Sequence, residues 1–254
     1  ATGYQPALLL NHDGRFDHFA EQLRMEGGLG IVPEDNAAAR IVMTAFDGSP
    51  LRSDSDALSQ WWARHRRDEG HYALLYNTIS LHDGNRINGQ ANTNSDATYG
   101  ARLRRLLADL GRFIDLVQAS GRPTVIVLIP EHGAALHSDA LQIAGLRELP
   151  TRAITNVPVA VKLVGMPAVK PAGEAPLFID KPSSYLALTA LVAGLTQLQS
   201  TGASPAELAS LVRALPATLW VAENNGTVLL RRGPRSYLRS PVGEWTDFTG
   251  ATNP

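Results

Sequence analysis

The chain has 254 residues with 23 basic and 24 acidic side chains, a balance that leaves no electrostatic footprint for nucleic acid or an anionic membrane surface. It contains no cysteine, which excludes a disulfide framework and a thiolate metal site, and its longest apolar run, Tyr185 to Leu195, is too short to span a bilayer. The length suits one large α/β domain better than two small ones.

Ala1 opens in mid-pattern without a methionine or a signal sequence, so the chain is expected to be an excised domain or a fragment. Tyr4 to Leu10 reads as a strand that leaves into the polar turn Asn11-His12-Asp13-Gly14. Phe16, Phe19, Ala20 and Leu23 then fall on one helical face, ended by Gly27 and Gly28. Those glycines follow a helix, so they are not a dinucleotide fingerprint. Ile41 to Phe46 is a second apolar strand, leaving into Asp47-Gly48-Ser49-Pro50. Ser53 or Asp54 can cap the next helix, where Leu58, Trp61, Trp62 and His65 share a face; His65 reads as a boundary residue beside tryptophan, and Arg64, Arg66 and Arg67 as a solvated face.

Tyr72 to Ile79 is a third strand, followed by Ser80-Leu81-His82-Asp83-Gly84-Asn85-Arg86, which is either a polar cluster on the active edge of a sheet or an Asx-rich turn. Ile87 to Thr98 reads as a surface loop. Leu103, Leu106, Leu107, Leu110, Phe113, Ile114 and Val117 form the apolar stripe of a helix with Arg and Asp on its other face, stopped by Gly121 and Pro123.

That helix delivers the chain into Pro123–Gly133, PTVIVLIPEHG. Thr124 to Ile129 are too few for a helix and suit a strand buried on both faces, so this is expected to be the central parallel strand. Glu131 and His132 stand at its exit, where loops on a rigid sheet carry ligand-binding groups, and Gly133 lets the backbone turn sharply. A carboxylate beside an imidazole suits a divalent metal or an acid–base site, with a plain solvated turn as the alternative.

Leu146-Arg147-Glu148 follows in a loop, and Val157 to Val164, with Pro158, reads as a strand nearer an edge. Ser183 to Leu198 and Ser204 to Leu215 read as helices. Asn225-Gly226 between Leu219–Ala222 and Val228–Arg231 is the strongest hairpin signal in the chain, and Arg235–Leu238 and Trp245–Phe248 can extend it. The expected fold is therefore α/β, a largely parallel sheet with helices on both faces and a small antiparallel hairpin region at the carboxyl end. Glu131, His132, His82 and the Asn11-His12-Asp13 turn all follow strands, so one crevice is expected to gather them. Two adjacent ligands do not complete a zinc site, which usually takes three from the protein. With no G-x-S-x-G, P-loop or H-E-x-x-H motif, the residues alone point to a metal-assisted hydrolase or transferase.

PEHGAAL at 130–136, YNTISLHDGNR at 76–86, FDGSP at 46–50, GLRELP at 145–150, NVPVAVKLVGM at 156–166 and PSSYLAL at 182–188 resemble the periplasmic catalytic domain of the BcsG family of cellulose biosynthesis proteins. These motifs occur in order over nearly the whole chain. The resemblance implies an alkaline-phosphatase-like fold, and residues 1–254 as part of a catalytic domain that transmembrane helices tether to the inner membrane. It implies zinc-dependent transfer of phosphoethanolamine from phosphatidylethanolamine to the 6-hydroxyl of cellulose glucose units, through a covalent intermediate on a zinc-bound serine, with the cellulose synthase complex as partner. By position it assigns Glu131 and His132 to the zinc site, His82 to substrate handling and Arg147 to the family's GLR motif; the alternative for Arg147 is a surface salt bridge with Glu148 or another acid. The family's other zinc-site residues, a cysteine and the nucleophilic serine, lie upstream of the segment with which this chain opens. The chain is thus expected to carry half of the metal site and to show no transfer alone, Ser49 and Ser80 being its only candidate substitutes for the nucleophile. The rival functions are a phosphatase or sulfatase of the same superfamily and a non-catalytic cellulose- or synthase-binding module.

Overall fold

The structure is a computed structural model that describes residues 3–15, 19, 21, 31–91, 95–134, 136, 147, 149–165, 178, 180–201, 205–222 and 226–249. The chain divides into two compact units, Ala1–Ser120 and Gly121–Pro254.

In the first unit β1 (Tyr4–Leu10) runs parallel to β4 (His71–Asn77), in register from Tyr4 opposite His71 to Leu10 opposite Asn77. The two strands therefore end side by side, which places the turns that follow them at one edge. A three-stranded antiparallel sheet has β2 (Ile41–Thr44) between β3 (Pro50–Arg52) and the two-residue β5 (Arg86–Ile87). Met43, Ala45, Leu51 and Ile79 bury their side chains together there. Sequence reasoning takes Asp47-Gly48-Ser49-Pro50 as a polar exit and misses the hairpin; Gly48, at φ +86°, provides the left-handed residue that an Asp-Gly turn uses.

Helix α1 (Asp54–His65) starts at Ser53, whose extended backbone and side-chain oxygen, accepting the Asp56 N–H at 3.2 Å, make it the N-cap. Asp54 and Asp56 in the first turn and Arg64 and His65 in the last complement the helix dipole. Its buried face carries Ala57, Leu58, Trp61 and Trp62, and Trp62 meets Phe113 edge-on at 6.1 Å. His65 packs at 4.9 Å from Trp61, as its spacing implies.

Helix α2 (Ser95–Ser120) begins eight residues before the apolar stripe suggests. Its buried residues are Thr98, Arg102, Leu106, Asp109 and Val117, while Leu107 is half exposed. The buried face is thus rotated from the expected apolar stripe and includes an arginine and an aspartate, which correct the expectation that charges sit only on the outer face.

In the second unit β6 (Thr124–Leu128) pairs antiparallel with β7 (Ala160–Val164), from Thr124 opposite Val164 to Leu128 opposite Ala160. This corrects the picture of a central strand buried on both faces: β6 is half-buried, with Leu128 and Ile129 exposed. Val125 and Val127 pack with Leu163 against Leu188, Leu191 and Leu195 of helix α4 (Tyr185–Thr201). The one-turn α3 (Arg152–Thr155) lies between β6 and β7 in the chain, and α5 (Pro205–Arg213) adds Leu211 and Val212 to the same core. The expected hairpin region is a four-stranded antiparallel sheet in the order β11 (Trp245–Asp247), β10 (Arg235–Arg239), β9 (Val228–Arg232), β8 (Trp220–Ala222).

The α/β class and the antiparallel carboxyl-terminal sheet hold. The share of parallel pairing does not: among the described residues only β1 with β4, and a single bridge from Leu8 to Pro33, are parallel. An apolar run such as Thr124–Ile129 states how much of a strand is covered and says nothing of the direction of its neighbour. The helix expected over 16–23 lies mostly outside the described residues, and no described helix is long and apolar enough to cross a membrane.

Candidate active-site residues

In the first unit the exits of β1 and β4 meet as expected, but their side chains are turned on one another. Asn11, fully buried, donates from Nδ2 to the Ser80 hydroxyl at 2.8 Å and accepts the Ile79 N–H at 3.1 Å. The Ser80 hydroxyl donates to one oxygen of Asp54 at 2.6 Å, and the Tyr76 hydroxyl donates to the other at 2.6 Å. Burial raises the Asp54 carboxyl above its ordinary range, opposed by the hydroxyls of Ser80, Thr78 and Tyr76. Burial, with Asp54 beside it, holds the Tyr76 phenol well above its usual value. Ser80 is itself buried and hydrogen-bonded to Asn11, Asp54 and Thr78, which fits an internal tie better than a nucleophile. Ser49 belongs to the β2–β3 turn, its N–H on the Asp47 carboxylate at 2.9 Å.

His12 is likewise buried. The Gly14 N–H donates to Nδ1 at 3.1 Å, so the ring proton sits on Nε2, which donates to Asn77 Oδ1 at 2.9 Å. Burial pushes the His12 pKa down, against the Asn77 hydrogen bond and the charges of Asp13 and Asp47. With both nitrogens engaged inside the protein, His12 is a link between the two exits and not a ligand for a metal.

His82 differs from both. Its N–H closes a turn on the Ile79 carbonyl at 2.9 Å, and its Nδ1–H donates to the Asp83 carbonyl at 2.8 Å, which leaves Nε2 as the basic nitrogen. The ring stacks on Phe46 with centroids 5.1 Å apart and planes 29° apart, and Phe46 is 53% exposed. The Phe46 N–H is held by Asn85 Oδ1 at 3.0 Å. Gly84, at φ +76°, is required twice over, since a Cβ there would lie 2.6 Å from that of Phe46.

In the second unit β6 ends in Pro130-Glu131-His132-Gly133. Glu131 is exposed and His132 half-buried. The His132 Nδ1–H donates to the Gly133 carbonyl at 2.7 Å, and Arg147 Nη1 donates to Nε2. The imidazole is therefore in the tautomer with its proton on Nδ1, anchored on a carbonyl as in a metal-ligating histidine, while the Nε2 lone pair accepts from the exposed Arg147, which a metal at Nε2 would displace. Gly133 fixes the path of this segment: its N–H donates to the Ile154 carbonyl at 2.7 Å, and a Cβ would fall 1.9 Å from the Ala153 carbonyl oxygen. Tyr185 secures the other side, its hydroxyl 2.5 Å from the Pro130 carbonyl oxygen and 2.6 Å from that of Glu131. The donor set fits zinc in part, with one carboxylate and one imidazole of the required tautomer; among the described residues no group of three His, Cys, Asp or Glu completes it.

Of the residues singled out by sequence, His132 and Arg147 are in contact, Glu131 adjoins them, and Asn11 and His12 join the β4 exit. Sequence reasoning names Asp54 only as a possible helix cap and assigns no site role to Asn77, Arg102 or Tyr185. The signal for Arg102 and Asp109 is their spacing, four before and three after Leu106, which puts both on the buried face of α2.

A sequence model of the cellulose biosynthesis protein BcsG C-terminal domain matches residues 1–245. The cellulose biosynthesis protein BcsG of Escherichia coli and that of Salmonella typhimurium are each 34% identical over 247 residues, which are 97% of this chain and 43% of theirs. The chain thus spans less than half the length of these relatives. A protein in the alkaline phosphatase superfamily from Vibrio parahaemolyticus superposes with a TM-score of 0.61 at 15% identity, covering 98% of this chain and 59% of that one. At that identity the likeness concerns the fold. The chain belongs to the family of the BcsG C-terminal domain and has the fold of the alkaline phosphatase superfamily.

Proposed function

We propose that this chain carries part of the active site of a zinc-dependent phosphoethanolamine transferase, which takes the group from phosphatidylethanolamine and passes it to the 6-hydroxyl of cellulose glucose units. The observation that supports this best is His132: its Nδ1–H is tied to the Gly133 carbonyl, which makes Nε2 the basic nitrogen, and that nitrogen is in contact with Arg147 and follows the exposed Glu131 in the chain. Glu131 and His132 would hold zinc, with the remaining ligands supplied from outside the described residues. When bound, zinc supplies Lewis-acid stabilisation of charge on phosphoryl oxygens and lowers the pKa of an attacking hydroxyl.

The chain's own residues have separate tasks. Arg147 offers a planar fork of N–H donors that matches two phosphate oxygens. His82, with Nδ1 committed to the Asp83 carbonyl, has Nε2 to exchange a proton with the attacking or leaving oxygen. On this reading the domain works in the periplasm, tethered to the inner membrane beside the cellulose synthase complex.

The test is product analysis with the full-length protein, phosphatidylethanolamine vesicles and cello-oligosaccharides. Transfer predicts a phosphoethanolamine-bearing glucan by mass spectrometry and its loss in His82→Ala with zinc retained. Release of phosphoethanolamine to water at the same rate with and without glucan would make the protein a hydrolase, and His82→Ala that loses zinc while folded would make His82 a ligand.

A further inference from the structure

We infer that Arg102 is a positioning residue for His82, a role that rests on the reading of His82 given above. Arg102 is 1% exposed, yet none of the acceptors around its guanidinium is a carboxylate. Nη1 donates to the backbone carbonyls of Ser80 at 3.2 Å and His82 at 2.8 Å. Nη2 donates to the carbonyl of Ser95 at 3.3 Å and to its hydroxyl at 3.0 Å, and Nε is buried without a hydrogen-bond partner. Tyr99, one turn back on α2, lies under the guanidinium at 5.8 Å.

Burying a guanidinium whose hydrogen bonds all go to neutral acceptors is costly, here offset in part by the charge of Asp83, and apolar replacements of buried ions are often neutral or stabilising. Something other than packing accounts for it. The acceptors supply the answer, because all of them lie in or against the loop that carries His82. Arg102 joins both ends of the Ser80–His82 segment to the first turn of α2, and Ser95 Oγ also accepts the Gly84 N–H at 2.8 Å. The His82 backbone is then held at its N–H by Ile79, at its carbonyl by Arg102, and its ring by the Asp83 carbonyl and Phe46. A group that exchanges a proton at phosphorus must be held to within a fraction of an ångström, which loops achieve only with such support. Lysine cannot reproduce the arrangement, since a point ammonium does not fork between carbonyls on two elements. Buried as it is, Arg102 touches no substrate, and its effect passes through His82.

A double-mutant cycle in the full-length protein tests this: Arg102→Lys, His82→Ala and the pair, assayed for kcat and KM of phosphoethanolamine transfer. Arg102→Lys is expected to lower kcat about tenfold with KM for the lipid donor within about twofold, and to have no further effect once His82 is alanine. It should also move the limb of the pH–kcat profile that His82→Ala removes. Should Arg102→Lys fail to fold, Ser95→Ala, which removes one acceptor of the same clasp, should lower kcat about threefold with the same dependence on His82. Equal losses in the presence and absence of His82, or unchanged kcat and pH profile in a folded Arg102→Lys, would overturn the positioning role alone. Wild-type transfer by His82→Ala would overturn the reading of His82, and the positioning role with it.

Discussion

Where β1 and β4 end, the polar side chains satisfy one another; where β6 ends, they are presented outward. Asn11, Ser80, Asp54 and Tyr76 form a closed network of buried hydrogen bonds, and His12 has a partner on each ring nitrogen. Glu131 is exposed, and His132 spends one nitrogen on the backbone and the other on the side chain of the exposed Arg147, which a ligand can displace. The difference teaches how to separate architecture from chemistry among residues that look alike in sequence. Most buried polar groups are paired inside the protein, and such pairing leaves nothing for a ligand. An exposed group set on a rigid strand exit can wait for one. His82 stands between these cases, its backbone locked like the first group and its ring on an exposed phenylalanine.

Substitutions can break that distinction or sharpen it. Gly133→Ala should do the most, because its Cβ has no room against the Ala153 carbonyl. It should cost about 1–3 kcal/mol of stability and displace Glu131 and His132 enough to lower zinc affinity and transfer by about 100-fold in the full-length protein. Wild-type zinc affinity in this variant would show that the β6 exit does not depend on its tight turn. Asp54→Ala strands two buried hydroxyls and should cost about 2–4 kcal/mol in urea denaturation, while zinc binding stays intact. Loss of zinc in folded Asp54→Ala would place the closed network among the metal's supports.

Arg147→Lys is expected to lower transfer about tenfold, because a point charge cannot match two phosphate oxygens, without lowering zinc content. An unimpaired variant would favour a surface ion pair for Arg147. The smallest effect concerns His12, whose folded pKa lies below its unfolded value of about 6.5 because burial disfavours the cation. Its contribution to stability is present above about pH 6.5 and is lost as the pH falls through that value towards the lower folded pKa, since there the unfolded state binds more protons. His12→Gln, which keeps a donor for Asn77, should flatten the pH dependence of thermal stability in that window. An unchanged slope would assign it to another group.

Much of this was legible in the sequence where local chemistry decides the outcome. Tyr4–Leu10 and the β4 strand were readable from apolar patterning, Ser53 from capping chemistry, and the carboxyl-terminal sheet from Asn225-Gly226. Three features were not. The antiparallel partner of β6 depends on where β7 returns, which an apolar run does not encode. The buried face of α2 was misread because Arg102 and Asp109, charged residues, occupy it for reasons of hydrogen bonding across the unit. His12 and Ser80 looked like site residues because a polar residue after a strand has the same signature whether it meets a ligand or Asn77 and Asp54.

The central claim is that Glu131 and His132 are metal ligands. It is tested most directly by measuring bound zinc per molecule, by inductively coupled plasma mass spectrometry, in the full-length protein and in its Glu131→Gln and His132→Ala variants, each verified as folded by circular dichroism. The account predicts about one zinc ion in the parent and a marked loss in both variants. Full occupancy in both would contradict it.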